Sequence, residues 1–187
     1  MKSFSEHVYN TLKICYGTLR TLKNFKRFTP LKVRKSLAEA LVLSKLNYCN
    51  VVYGQLPQYM INRLQRLQIC AASYVYKRYA TIDDVLSLNW LPVVEFIEFS
   101  TVKLAHQALH SQRWPTYLRL ETVQYTRATR LSQDGLRIKH GEKNSFQDQA
   151  RIFNLLPKSL REEKLSSKFA TEARKFYRDK AMTRLSL

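Results

Sequence analysis

Asp83 and Asp84 are the most conspicuous candidates for catalysis in this sequence. Paired carboxylates hold catalytic Mg²⁺ in nucleotide polymerases, where an aromatic residue stands two places before the pair. Thr81 occupies that place here. Adjacent residues on a helix also point about 100° apart, which suits shared ions poorly. Because a Thr followed three residues later by an acidic residue fits a helix N-cap, we predict a capping role for the pair and no catalytic residue.

Motifs for metals, cofactors and nucleophiles do not indicate an active site either. His106 and His110 have the spacing of one helix face, but no third ligand stands near them in the sequence. Cys15, Cys49 and Cys70 are far apart in apolar helical patterns, which is typical of buried free thiols in a reducing compartment. A phosphate-cradling glycine loop is difficult to build with only 4 Gly. We therefore predict no bound metal and no cofactor.

Positive charge is the chemistry that the sequence carries in abundance. The chain has 32 Lys and Arg against 14 Asp and Glu, a formal net charge of +18. A compact chain with this imbalance repels itself, so a polyanionic partner is expected. RNA, DNA or an RNA–DNA hybrid is the leading candidate, ahead of an anionic membrane surface. No run of apolar residues is long enough to span a bilayer and no signal peptide is recognisable, so we expect an intracellular protein, nuclear or cytoplasmic, with no membrane partner.

The densest positive charge lies in residues 23–35, KNFKRFTPLKVRK, around a predicted junction of two helices. Lys and Arg contacts with phosphates supply most of the non-specific affinity for nucleic acid. Phe25 and Phe28 are interleaved with these cations, and we expect them to cover the edge of the core. The predicted nucleic-acid-binding residues are Lys23, Lys26, Arg27, Lys32, Arg34, Lys35, Arg63 and Arg66. A second basic face is expected to carry Arg63 and Arg66 together with Lys77 and Arg78, and a third lies on the last helix, with Arg174, Lys175, Arg178 and Lys180.

The spacing of apolar residues predicts a mainly α fold, a bundle of about seven helices. Thr29 is expected to cap a helix that begins at Pro30, and Ser145 another. The Asp134-Gly135 pair favours a small β-hairpin near residues 129–139. Two regions, 1–80 and 81–187, are expected to pack as one unit. The predicted helices cover approximately residues 5–25, 30–52, 58–76, 81–88, 92–111 and 146–157, with a last one from 166 onward.

Residues 86–99, LSLNWLPVVEFIEF, contain no Lys or Arg, although the chain as a whole is strongly basic. Pro92 is suited to the first turn of a helix, because an N–H at that position would have no helical partner. Glu95 then lies where a negative charge complements the helix dipole. Apolar residues cover much of the circumference of the helix that follows. This composition predicts a central, buried helix, and the low positive charge is explained by burial.

Several short motifs, in order and spacing, resemble the C-terminal part of reverse transcriptases from non-LTR retrotransposons of the jockey and CR1-like kind. The resemblance covers roughly residues 10–177. Tyr53 and Phe153 stand where the family usually has Trp, and residues 71–74 lack an Arg that the family has. The motifs are Leu46-Asn47-Tyr48-Cys49, Leu64-Gln65-Arg66-Leu67-Gln68, Leu88-Asn89-Trp90-Leu91-Pro92-Val93, Pro115-Thr116-Tyr117-Leu118, Arg127 to Arg130, Ser145-Phe146 and Phe153-Asn154-Leu155-Leu156-Pro157.

This resemblance implies the thumb and post-thumb regions of an RNA-directed DNA polymerase, with residues 1–80 as a basic, thumb-like region and 81–187 as the post-thumb region. In the family, the fingers and the catalytic palm precede this segment, so a palm-bearing polymerase segment is a possible partner. The helical thumb grips the template–primer duplex along its backbone. The segment around Trp90 is then expected to be a structural joint between helices. The chain would be a remnant of a transposable element or a host protein derived from one.

Two alternatives are also compatible with the sequence. The chain could be a helical protein–protein interaction scaffold, in which Trp90, Phe96 and Phe99 line an exposed partner groove. It could also be a decayed element remnant without selected function, marginally stable without its fingers and palm.

Overall fold

The structure, a computed structural model, describes residues 4–48, 50–110, 122–123, 137–138 and 146–186. It is mainly α-helical, as the sequence predicts. The elements are α1 (Phe4–Asn24), α2 (Leu31–Ala38), a π-helical turn (Glu39–Leu43), α3 (Ser44–Asn47), a 3₁₀ turn (Asn50–Gln55), α4 (Gln58–Tyr76), α5 (Ile82–Ser87), α6 (Val93–His110), β1 (Thr122–Val123), β2 (Arg137–Ile138), α7 (Phe146–Asn154), α8 (Lys158–Arg161) and α9 (Ser166–Leu185).

The chain divides into two compact units, residues 1–97 with 181–187 and residues 98–180. The boundary predicted between residues 80 and 81 therefore lies inside the first unit. Hydrogen bonds within this unit join α4 to the start of α6. The Gln68 side chain donates to the Leu91 carbonyl (2.8 Å), and the Val93 N–H donates to the Gln65 side chain (2.8 Å). The second bond satisfies an N–H that has no partner within α6.

Helices α1 and α4 match their predictions closely. The apolar stripe predicted for α1 is buried at every position: Val8, Leu12, Cys15, Leu19 and Leu22. Helix α4 covers the predicted residues from Gln58 to Tyr76. Both helices place apolar residues at intervals of three and four, so their inward faces follow from sequence alone.

The second predicted helix differs from the expectation. Helix α2 begins at Leu31, and Pro30 rather than Thr29 occupies its N-cap position. The Thr29 hydroxyl donates backwards to the Phe25 carbonyl (3.2 Å), so it is not available for capping. The π-helical turn interrupts the helix after Ala38, and α3 ends at Asn47, before the predicted end near Val52. This interruption and the single turn of α8 account for nine α-helices in the described residues, against about seven predicted.

The capping prediction for Asp84 is confirmed. Thr81 and Asp84 form a reciprocal capping box at the start of α5, with the Thr81 N–H donating to the Asp84 carboxylate (2.9 Å). Arg78 also donates to this carboxylate (2.8 Å). The bond from Arg78, followed by that from Thr81, lowers the pKa of Asp84. This aspartate is thus committed to helix capping and ion pairing.

The segment around Trp90 is a buried joint between α5 and α6. Asn89 takes the left-handed conformation (φ 61°), and the N–H groups of Asn89 and Trp90 donate to the carbonyls of Leu86 (2.9 Å) and Val85 (3.1 Å). This is the Schellman arrangement that ends a helix. The Trp90 indole is buried and donates to Glu39 (2.7 Å). An exposed partner groove lined by Trp90 and Phe99 is therefore contradicted, because both side chains are buried.

Strands β1 and β2 pair antiparallel, Thr122 opposite Ile138 and Val123 opposite Arg137. The sequence assigns Arg137 and Ile138 to a hairpin near 129–139. In the structure these two residues form β2, which pairs with β1, a strand earlier in the chain than the predicted hairpin. The Asp134-Gly135 turn and the Ser145 cap lie outside the described residues. So do the motif residues 115–118 and 127–130, together with Cys49.

A histidine is buried in the unit formed by residues 98–180. The His106 ring stacks on Phe169, with 4.1 Å between ring centroids, and its Nε2 lies 2.8 Å from the Glu163 carbonyl. Because a carbonyl only accepts, Nε2 carries the proton and donates it. Burial lowers the pKa of His106 more than the Glu163 contact raises it. Within the described residues, no three His, Cys, Asp or Glu side chains come together as metal ligands.

We expect the stability of the chain to fall as the pH drops below about 6.5, the ordinary pKa of histidine. Below that pH the unfolded chain takes up a proton that buried His106 resists, so acid favours unfolding. Burial lowers the pKa of His110 as well, and this effect has the same sign. The urea midpoint measured between pH 7.5 and 5.5 checks this. The His106→Gln variant keeps a donor but does not titrate there, and should show a flatter profile. An unchanged wild-type midpoint would contradict the prediction.

Candidate nucleic-acid interface

A compact loop of residues 25–30, here called the basic loop, joins α1 to α2. Tight turns form it, with hydrogen bonds from the N–H of Phe25 to the Leu22 carbonyl and from that of Phe28 to the Phe25 carbonyl, both 3.2 Å. Pro30 disfavours a helical conformation at the residue before it, so α1 cannot run on into α2. Pro30 therefore causes a sharp turn in the middle of the densest run of cations in the chain.

Arg34 anchors the basic loop from inside the protein. Its side chain is only 5% exposed, its Nε donates to the Val75 carbonyl (2.7 Å), and its guanidinium also donates to the Thr29 carbonyl. Val75 lies in the last turn of α4, where carbonyls lack partners within the helix and a positive charge is favoured. Arg34 therefore differs from its prediction as a phosphate contact: its donors are used on backbone carbonyls.

Lys77 makes a second contact that holds the basic loop in place. It ends α4 in the left-handed conformation (φ 61°), and its ammonium donates to the Arg27 carbonyl (3.4 Å). Together with the Arg34 bonds, this contact fixes the basic loop against the C-terminal end of α4. A loop held at two points presents its side chains in a defined arrangement.

Cations from several elements converge at this place. Partial burial, followed by the charges of Lys23, Arg34 and Lys77, lowers the pKa of Lys26. These residues come from the end of α1, from α2 and from beyond the end of α4. Such crowding of like charges raises the local positive potential, which attracts a polyanion.

Phe25 and Phe28 do not cover the core, contrary to the prediction. They are 59% and 86% exposed, respectively. Three residues after buried Leu22, Phe25 would continue the inward stripe of α1 if the helix went on. Helix α1 ends at Asn24, and the turns that follow change the direction of the side chains.

Lys32 and Lys35 differ in the positive charge that they leave available for phosphates. Lys32 is exposed on α2. The Lys35 ammonium lies 3.8 Å from the Glu39 carboxylate, so part of its charge is compensated. Arg78, which was expected to extend the basic surface, is bound to Asp84 and adds little net charge there. On the last helix, Lys180 is likewise paired with Glu98.

Arg63 and Arg66 lie beside α1, away from the basic loop. The Arg63 guanidinium carbon is 5.0 Å from the centroid of the Tyr9 ring. Burial and Cys70 raise the pKa of Tyr16, while the charges of Arg66 and Arg63 oppose this shift. Since Tyr9 lies near Arg63, Tyr16 near Cys70, and the basic loop near Lys77, α1 and α4 run in the same direction.

One exposed face of α1 connects the two groups of predicted residues. Positions 9, 13, 16, 20 and 23 are spaced four and three apart, so they share a helix face. Lys13 and Arg20 on this face are exposed, and they were not among the predicted binding residues. Their spacing from Lys23 places them on the same helix face, so this pattern could have identified them from the sequence. We call the resulting surface the basic face; its cations are Lys13, Arg20, Lys23, Lys26, Arg27, Arg63, Arg66 and Lys77.

Acidic residues are almost absent from this part of the chain. Between Glu6 and Asp83 the sequence contains one acidic residue, Glu39. That carboxylate accepts the Trp90 indole N–H and lies near Lys35. The charge of the basic face is therefore left for a partner to neutralise.

Comparison with known proteins finds no matching family model, no matching curated protein and no matching solved structure. A membrane-crossing helix needs a long apolar run, and none of the helices that the structure describes has one. The function is therefore inferred from the chemistry of the basic face.

Proposed function

We propose that this chain binds nucleic acid through its phosphate backbone, with little dependence on base sequence. The observation that carries the proposal is the basic face, where eight exposed or partly exposed cations line α1, α4 and the basic loop. From position 9 to position 23, α1 rises about 21 Å, which matches about six base pairs of a duplex at 3.4 Å each. Exposed Lys and Arg on such a surface bind phosphates by releasing condensed counterions.

The resemblance to non-LTR retrotransposon reverse transcriptases supports a narrower proposal. In that reading the chain is a C-terminal, thumb-like segment of an RNA-directed DNA polymerase that grips the template–primer duplex. Contacts inside the protein are consistent with it, since Gln65 and Gln68 of one motif hydrogen-bond to Leu91 and Val93 of another. The chain carries no catalytic carboxylate set in this reading, so catalysis would need a palm-bearing segment.

The test is the dissociation constant of the full chain for a labelled RNA–DNA hybrid, measured by fluorescence anisotropy at increasing salt. If six of the eight cations contact phosphates, the affinity should fall about a thousandfold between about 50 and 200 mM salt. Hybrids of unrelated sequence should bind alike, because phosphate contacts carry no sequence information. Absence of binding at the lowest salt, or an affinity that salt does not change, would contradict the proposal.

A further inference from the structure

Phe28 has a property that phosphate binding does not explain. It lies in the basic loop, 86% exposed, and Phe25 in the same loop is 59% exposed. Burying a phenyl ring is favourable, so a ring held in water within a loop that carries cations is available for a ligand with an apolar face.

We propose that Phe28 is a stacking platform for an unpaired nucleotide base, so that the basic face prefers nucleic acid with a single-stranded segment next to a duplex. This inference rests on the proposed function and adds a substrate class to it. Every base has a π-face, and stacking on an aromatic side chain tolerates any sequence.

The basic loop is prepared for such a contact. Arg34 and Lys77 fix its backbone to the end of α4 through the Val75, Thr29 and Arg27 carbonyls. The position of the loop is therefore set before a ligand arrives, which reduces the entropy lost on binding.

The cations that precede Phe28 in the loop suit the phosphates of a nucleotide. Lys26 and Arg27 directly precede Phe28 in the loop, and Lys23 and Lys77 lie near Lys26. A base stacked on the ring has a phosphate on each side along the strand, and cations this close in the chain can neutralise such phosphates. Single-strand binding proteins combine cationic grooves and aromatic platforms in this way.

An anionic membrane is less well matched to the same residues. Membrane-surface helices present one continuous apolar face. Outside the loop itself, the exposed apolar residues that follow it in the sequence are Leu31 and Val33. They are two positions apart on α2 and point about 200° away from each other, so they cannot enter a bilayer together.

The experiment compares two DNA ligands, a blunt duplex and the same duplex with a short thymine overhang, using the full chain. Wild type should bind the overhang ligand about tenfold more tightly. Phe28→Ala should abolish this difference and leave the affinity for the blunt duplex unchanged, while Phe28→Trp should retain it. A 2-aminopurine base placed in the overhang should change its fluorescence on binding wild type but not Phe28→Ala.

Tyr59→Ala is the matched control, because Tyr59 is an exposed aromatic residue (55%) at the opposite end of α4. It lies about 25 Å along the helix from Tyr76, so its removal should leave the preference for the overhang ligand unchanged. Equal affinity of wild type for both ligands, or an equal loss on both in Phe28→Ala, would overturn the stacking role and leave phosphate binding intact.

Two other outcomes separate the remaining possibilities. If wild type binds neither ligand at low salt, the proposed function fails, and the stacking role fails with it. If Phe28→Ala loses binding to phosphatidylserine vesicles but keeps the overhang preference, the ring serves a membrane and the proposal is overturned.

Discussion

Replacing Lys23, Lys26 and Arg27 together with glutamine is expected to weaken the binding of nucleic acid about a hundredfold near 0.1 M salt. These side chains come from the end of α1 and the basic loop, where several cations lie close to Lys26. Three lost phosphate contacts should reduce the slope of log affinity against log salt by about 2.7, whatever the sequence of the ligand. Salt titrations of the variant and wild type, measured in parallel, check both quantities.

The folded state should tolerate this change. Lys23 and Arg27 are exposed, and removing the charge of Lys26 relieves repulsion from its cationic neighbours. A loss of affinity is therefore expected with an unchanged urea midpoint.

A matched control distinguishes the basic face from overall charge. Lys103, Lys164 and Lys175 are exposed outside the basic face, and replacing them with glutamine removes the same number of charges. This control should keep most of the affinity and of the salt slope. Equal losses in both triple variants would show that net charge, rather than the basic face, governs binding.

Arg34→Met is expected to lower the free energy of unfolding by about 3 kcal/mol, because it leaves two carbonyls without their charged donor. The carbonyls belong to Val75 and Thr29, and the arginine side chain itself is buried. Methionine fills a similar space but donates no hydrogen bond. Arg34→Lys should be intermediate, since one ammonium cannot reproduce the planar guanidinium. Urea denaturation followed by circular dichroism measures the effect.

Lys32→Met is the control for this prediction, because Lys32 is exposed on the same helix two residues earlier. Its stability should stay within about 0.5 kcal/mol of wild type. If Arg34→Met were as stable as wild type and bound nucleic acid less tightly, Arg34 would belong among the phosphate contacts after all.

The sequence predicts much of the architecture because the governing interactions are local. The apolar stripe of α1 repeats every three to four residues, and its five predicted positions are buried. The capping box at Thr81 and Asp84 depends on residues three positions apart. Pro92 and the absence of cations after Leu86 predict a buried helix, and Trp90, Val93 and Ile97 are indeed buried.

The candidate site was predicted less completely, because the neighbouring residues in the sequence do not determine whether a charged side chain points inward or toward solvent. Arg34 resembles its cationic neighbours in the run from residue 23 to 35, but its partner is the carbonyl of Val75, 41 residues away. Glu95 was expected to act on the dipole of its own helix; it is 1% exposed and lies 2.9 Å from Arg184. Neither pairing has a local signature.

By itself, the sequence determined most of the helices, the inward faces of α1 and α4 and the excess of positive charge, since short-range periodicity and composition suffice for these. Only the tertiary structure decided which cations reach solvent. It turned Arg34 inward and Phe28 outward, and it placed Arg63 and Arg66 beside Tyr9 and Tyr16. The reason is that packing α1 and α2 against α4 brings together residues about 40 to 50 positions apart, and periodicity within one helix contains no information about such contacts.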